Sequence, residues 1–517
     1  MSVAPLRCQT DPMSEIEPRS TDGSDDLRTS RHMVHNLGRA FEYAHSVLAE
    51  NAGSAVTDRI GDHIGLPALE ASIVEATWPT WAHASVHLAV QAHLEAHPDP
   101  DGAAPVWFGL SVSHHQHQDL ASVLDQELRQ GRSTLSRPTH AQVAVGHDRM
   151  LTVVQAGLVT SRAPSGEPVV LVLRFTSRQS PAEITLEVVS ATPEAGQATL
   201  EALRTLVDSN DLLRGQVVTF GMSEHYGNEL VSFMPRPDVA AEQVILPEGV
   251  LDEIVDHVIG IGASAQRLGE YGLHLKRGVL LYGPPGTGKT HTVRHLIGRA
   301  PEATVVVLTG GGLRFISPAT ALARRLTPSI VVCEDVDLVA QDRSYTPEGN
   351  PLLFTLLDAM DGVSSDADVT FILTTNRASE LEEALVQRPG RVDLAVEVPR
   401  PDQAGREALL RLYAAKVPVT ADLSVAAERL EGVTASAMKE VMRRAGLAAL
   451  RASEDSPEIT DEVLDEVVSR FLDDSSMLTR SLLGTSESEP GGGEFGLGGG
   501  PRPGLYPTDG FAPFPMN

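Results

Sequence analysis

Aromatic rings and cysteines are scarce in this sequence, and each shortage excludes something. Only 4% of the 517 residues are aromatic, which leaves few rings for the stacking platforms that hold single-stranded nucleic acid. The two cysteines, Cys8 and Cys333, stand alone, so neither a disulfide framework nor a cysteine zinc site is expected, and a reducing compartment fits. Basic blocks are missing too. Lys and Arg number 41 against 69 Asp and Glu, a formal net charge of −28, so no nucleic acid partner is expected. No apolar run is long enough to span a bilayer, and the N-terminus lacks the charged-then-apolar pattern of a secretory signal. These absences predict a cytoplasmic protein with no membrane span.

Hydrophobic residues supply 42% of the chain, and its length predicts roughly two to four domains. Residues 1–30 are polar and aperiodic and read as a disordered tail. From residue 31 to 235 helical patterns give way to short strand patterns such as Val169-Val170-Leu171-Val172-Leu173, predicting an α+β N-terminal domain. Within it His114-His115-Gln116-His117 admits a metal reading, with a solvated polar helix start as the alternative. Pro235, Pro237 and Pro247 mark a linker over 236–250. The apolar interruption Val258-Ile259-Gly260-Ile261-Gly262 is a candidate wall for an adenine pocket, with ordinary helix packing as the alternative.

The chemistry starts at Gly283-Pro284-Pro285-Gly286-Thr287-Gly288-Lys289-Thr290, which fits G-x-x-x-x-G-K-[ST] between an apolar strand pattern and a helix pattern containing His291. Glycines let successive backbone N–H groups curl around phosphate, and the helix behind presents its positive end to the same anion. Lys289 is placed to reach the β- and γ-phosphates of ATP, and Thr290 to offer its hydroxyl to Mg²⁺. The strand pattern Ser329–Cys333 ends in Glu334-Asp335-Val336-Asp337, and Val369–Leu373 ends in Thr374-Thr375-Asn376. Acids and an amide at the ends of parallel strands can serve the metal and the attacking water. Arg388-Pro389-Gly390-Arg391 adds two guanidiniums suited to a transferring phosphoryl group.

Four motifs in this order resemble the AAA-type ATPases, the ring-forming P-loop family, over roughly residues 250–475. The resemblance implies a parallel α/β sheet over 251–400, a helical lid over 401–475 and a homo-oligomeric ring that acts on a protein client. It gives Glu334 and Asp335 the places of the Walker B acids, with Glu334 beside Thr290 as metal ligand. Asn376 takes that of the sensor, and Arg388 and Arg391 those of the arginine fingers. The acids are inverted relative to the usual Asp-Glu, an order similar to that of some single-ring members that do hydrolyse ATP. Gly432-Val433-Thr434-Ala435-Ser436 resembles the lid segment that approaches the nucleotide. Phe315-Ile316 falls where the family grips a threaded chain, plain packing being the alternative, and Tyr345 where a second pore loop runs. An ATP-binding scaffold with little turnover remains an alternative, and a nucleic-acid motor a weaker one. Residues 484–517, rich in Gly and Pro, read as a second disordered tail.

Overall fold

A computed structural model describes residues 56–98, 104–111, 120–121, 124, 134–176, 183–222, 229–337, 351–377, 391–453 and 456–482. The two tails, His114–His117, Tyr345 and Arg388 lie outside these. Among the described residues, those up to Gly405 together with Gly432–Ser436 form one compact unit, and Arg406–Glu431 with the residues from Ala437 onward form a second.

Strands of the first unit are, in chain order, β1 (Ser72–Pro79), β2 (Gly109–Ser111), β3 (Thr134–Ser136), β4 (Thr139–Gly146), β5 (Arg149–Arg162), β6 (Pro168–Thr176), β7 (Glu183–Ser190), β8 (Val217–Met222), β9 (Glu229–Met234), β10 (Arg277–Tyr282), β11 (Thr304–Thr309), β12 (Ser329–Glu334), β13 (Val369–Thr375) and β14 (Leu394–Glu397). The first sheet, ordered β1-β7-β6-β5-β4, is antiparallel throughout. Its alternating side chains feed two cores. Val169, Leu171 and Leu173 face the helices His83–Ala96 and Pro193–Ser209, while Val170 and Val172 face the helix Val56–Ile64.

The buried carboxylate and imidazoles of this sheet and its helix each make at least one hydrogen bond. Glu187, 1% exposed, takes a bidentate pair from Arg174 at 2.8 and 2.7 Å and a third bond from the backbone N–H of Leu120. Burial still holds its carboxyl above the usual glutamate range. Three buried histidines of the helix His83–Ala96 bond to β5: His83 Nε2 to Val154 O, His93 Nε2 to Arg162 O, and His87 Nδ1 to the Val154 N–H.

The second sheet, ordered β14-β10-β13-β12-β11-β8-β9, is parallel from β14 to β8, and only β9 runs antiparallel. Its central strands are apolar on both faces, as parallel strands covered by helices must be. Two of these strands, β8 and β9, come from the segment assigned to the N-terminal domain, so the boundary expected at residue 235 falls inside a sheet. The sequence pattern of β8 is that of a buried strand, but it cannot say which sheet buries it.

Residues 236–250 are likewise a bound strap rather than an open linker. Arg236 donates to the carbonyls of Gly215, Ile297, Ala300 and Ala303, and His295 and His291 pair with the carbonyls of Val239 and Gln243. The strap thus follows the helix Lys289–Arg299 toward its N-terminal end. Val258–Gly262 lies elsewhere. Val258 O accepts from Arg277, the first residue of β10, and Gly262 borders the same guanidinium. That is the end of β10 opposite the phosphate loop, so this segment does not wall an adenine pocket; its apolar residues pack against the start of the sheet.

Phe315 and Ile316 are buried, at 5% and 1% exposure. The Phe315 ring stacks on Phe220 of β8 at 6.1 Å, Phe220 meets Trp81 edge-on at 5.4 Å, and the Arg314 guanidinium covers Phe315 at 4.8 Å. Packing, not gripping, is what this ring does.

The second unit is helical. Leu423–Arg429 packs with Asp461–Leu482, a helix that runs past residue 475, and Arg406 Nε donates to Ala427 O at 2.6 Å.

Two outcomes are expected. Desolvation lowers the His87 and His93 imidazoles from 6.5 to about 4. Between those values the unfolded chain binds protons that the folded chain does not, so stability is lost as pH falls through that window. Thermal melts across pH 7 to 4 should show this slope, and His93→Gln, which keeps a donor for Arg162 O, should flatten it. Phe315→Ala should destabilise the unit by about 3–5 kcal/mol in denaturant melts, as a buried ring deletion does.

Candidate nucleotide site

The loop after β10 is shaped by three glycines with φ of 145°, 77° and 114° at 283, 286 and 288. A Cβ on Gly283 would stand 2.3 Å from Val398 O, and one on Gly286 would stand 2.2 Å from Ser436 Oγ. Larger residues would therefore clash as well as strain the backbone. The loop leads into the helix Lys289–Arg299, whose first residue is Lys289.

Lys289 is 6% exposed and its Nζ donates to Gly283 O at 2.8 Å, Pro284 O at 2.9 Å and Asn376 Oδ1 at 2.8 Å. All three ammonium donors are thus spent on neutral oxygens. Desolvation lowers its pKa, opposed by the nearby carboxylates of Asp335 and Asp337. Asn376 passes the contact on, its Nδ2 donating to Asp335 Oδ1 at 3.3 Å. Lys289, Asn376 and Asp335 therefore form one polar chain across the ends of β10, β13 and β12. Asp335 adopts φ 51°, a left-handed conformation that short polar side chains tolerate best, and its N–H donates to Thr374 Oγ1 at 2.9 Å.

Glu334, the last residue of β12, is hydrogen-bonded to Thr290. Burial raises its pKa; the Thr290 bond and the charge of Arg294 lower it, and that of Asp335 raises it. Two hard oxygens side by side, one on a carboxylate whose charge is poorly solvated, fit a magnesium ion.

Residues 279–400 match the model of the ATPase family associated with various cellular activities (AAA). They form an AAA module. Among similar curated proteins, an ATP-dependent zinc metalloprotease FtsH 3 of Sphaerobacter thermophilus is 31% identical over 299 residues, 55% of this chain and 60% of that protein. A 26S proteasome regulatory subunit 6A of Encephalitozoon cuniculi is 31% identical over 252 residues, 46% of this chain and 63% of the relative. An ATP-dependent zinc metalloprotease FtsH of Mycobacterium tuberculosis is 33% identical over 279 residues, 50% and 35% respectively. The chain therefore spans less than two thirds of the length of these relatives. Its sequence contains no His-Glu-x-x-His, the helical zinc pair of metalloproteases. Among the described residues no helix is long and apolar enough to cross a membrane, and no group of three or more His, Cys, Asp or Glu could hold a metal ion.

The AAA module brings Lys289, Thr290, Glu334, Asp335 and Asn376 together. Arg391 is elsewhere: 5% exposed, it grips Asp361 through Nε at 2.9 Å and Nη2 at 2.6 Å, and its carbonyl lies against Gly278 at the start of β10. His291 follows the loop and pairs with the strap at Gln243 O. The segment Gly432–Ser436 closes on the phosphate loop of the AAA module, with Ser436 N donating to Gly286 O at 3.0 Å.

Two residues named in these motifs were given no role of their own by the sequence. Asp337, 3% exposed, accepts from Asn376 N at 3.1 Å and Thr375 Oγ1 at 3.2 Å, fixing Asn376 from behind. Thr374 holds the strained Asp335. The spacing of Asp337, two residues beyond Asp335, was the signal available for the first; nothing in the sequence marks the second. Thr374→Val removes the acceptor for the Asp335 N–H while keeping the side chain's volume. It should leave ATP affinity within about threefold in equilibrium binding, and lower phosphate release about tenfold if one hydrogen bond of roughly 1–1.5 kcal/mol orients that acid.

Proposed function

We propose that the module hydrolyses Mg-ATP at the subunit interfaces of a homo-oligomeric ring and uses the cycle to remodel or unfold a protein partner. The observation that carries the reading is the polar chain Lys289–Asn376–Asp335, set beside the Thr290–Glu334 pair at one edge of the parallel sheet. On ATP binding, Lys289 exchanges neutral oxygens for phosphate oxygens, a stronger charge-assisted contact. Bound Mg²⁺ would take the Thr290 hydroxyl and the Glu334 carboxylate as protein ligands and neutralise charge on the phosphates. Asn376 orients the attacking water and Asp335 accepts its proton as oxygen bonds to the γ-phosphorus and the bond to ADP breaks. Asp335, shorter by a methylene than the usual glutamate, reaches inward from its left-handed backbone.

An arginine of an adjacent subunit stabilises the charge that develops on the γ-phosphate. The hold of Asp361 on Arg391 favours Arg388 for this role. Such an interface is heterologous and closes by rotation into a ring. The relatives named as an ATP-dependent protease and a proteasome regulatory subunit support a polypeptide as the client.

Steady-state phosphate release tests the reading on the wild type beside Lys289→Ala, Asp335→Asn, Arg388→Ala and Arg391→Ala, with oligomeric state recorded for each. Asp335→Asn should still bind ATP and lose about a hundredfold or more in turnover. Arg388→Ala should lose turnover in the assembled state. A wild type that assembles on ATP without releasing phosphate would replace the motor by a nucleotide-dependent scaffold. Stimulation by DNA or RNA at low salt would favour the nucleic-acid motor.

A further inference from the structure

The parallel sheet has a cavity of its own at the end away from the phosphate loop. It measures 320 Å³ and is walled by Val258, Ile259, Ala300 and Ile330. Arg277 begins β10 and Ser329 begins β12, and both border the cavity; the phosphate loop follows Tyr282 at the far end of β10. A six-residue strand separates the two sites by roughly 17 Å.

Polar groups converge in this apolar space. Arg277, Thr370 and Ile330 are direct cross-strand partners, so their side chains share the face that floors the cavity. Thr370 is fully buried and its Oγ1 has no hydrogen-bond partner. An unsatisfied buried hydroxyl is unfavourable and calls for an explanation.

Arg277 adds a donor. Its Nε donates to Val258 O, its Nη1 to Leu275 O and Asp368 Oδ1, and its Nη2 to Val258 O. A guanidinium carries five N–H groups, so one on Nη2 is left over. The Nη2 atom lies 2.9 Å from where a Cβ on Gly262 would stand, and Asp368 Oδ2 lies 3.8 Å from the same point. Gly262, which also borders the cavity, lets the backbone come close to a donor and an acceptor that stand side by side.

We propose that this cavity is a ligand site for a small, uncharged molecule with an apolar ring and a carboxamide-like edge. The amide oxygen accepts from Arg277 Nη2, one amide N–H donates to Asp368 Oδ2, and the other amide N–H donates to the Thr370 hydroxyl. The Arg277–Asp368 pair is already neutral, 6% and 14% exposed, and the other two charged residues that border the cavity, Arg299 and Glu302, are of opposite sign, so a charged ligand would find no net charge to compensate it. The volume lies at the small end of ligand pockets and suits roughly ten heavy atoms. This site does not depend on whether the module turns ATP over.

Benzamide is the probe, titrated into the full chain by calorimetry and by saturation-transfer NMR, with benzoate and ethylbenzene alongside. Benzamide should bind at one site per chain and remain bound under saturating ATP. Thr370→Val, which keeps volume and removes the hydroxyl, should weaken it about five- to tenfold. Ala300→Leu, which fills the cavity, should abolish it. Absence of saturable benzamide binding would overturn the proposal, as would equal binding of benzoate or ethylbenzene, displacement by ATP, or indifference to Thr370→Val.

Discussion

Because both faces of the parallel sheet are apolar, polar chemistry can be placed only where its strands end, and that constraint orders the whole first unit. At the C-terminal edge the ends of β10, β12 and β13 bring an ammonium, two carboxylates and an amide within hydrogen-bonding distance. A buried ammonium is tolerable because three oxygens surround it. Asp335 in turn sits in a left-handed conformation that the Thr374 hydroxyl supports. Loss of one member removes a hydrogen-bond partner from its neighbour, so the members of the set are coupled.

The same economy governs the antiparallel sheet. Its buried carboxylate, Glu187, and its buried imidazoles each find a partner on a neighbouring element. The result fixes β5, β6, β7 and the helix His83–Ala96 in one register. Apolar area alone would allow that helix to slide; polar bonds at Val154 and Arg162 define where it stops.

Much of the nucleotide site was legible in the sequence because phosphate binding dictates a local, contiguous motif. Glycines at 283, 286 and 288 announce positive φ, and acids at the end of an apolar run announce a strand edge. What was not legible depends on contacts distant in sequence. The pattern of β8 shows that it is buried, but only its pairing with β11, some ninety residues on, decides which sheet owns it. Phe315 is the kind of aromatic that can grip a chain and is instead stacked on Phe220, itself met edge-on by Trp81, neither adjacent in sequence. Val258–Gly262 precedes the phosphate loop in the chain and yet lies at the other end of β10, since proximity in sequence is not proximity across a strand. Arg391 reads as a guanidinium for a phosphoryl group, and the sequence does not show that Asp361, thirty residues earlier, holds it.

The pairing of β8 with β11 also determines how the chain can be divided. A fragment beginning at residue 250, the natural cut suggested by the motifs, would strip two strands from the sheet and lay open the main-chain edge of β11, whose residues Val305, Val306 and Val307 now face β8. Such an edge is a template for association with other chains. It would also remove Phe220 from above Phe315 and the strap from the helix Lys289–Arg299. An autonomous catalytic fragment of this protein has to start upstream of Val217, inside what the sequence alone marks as a different domain.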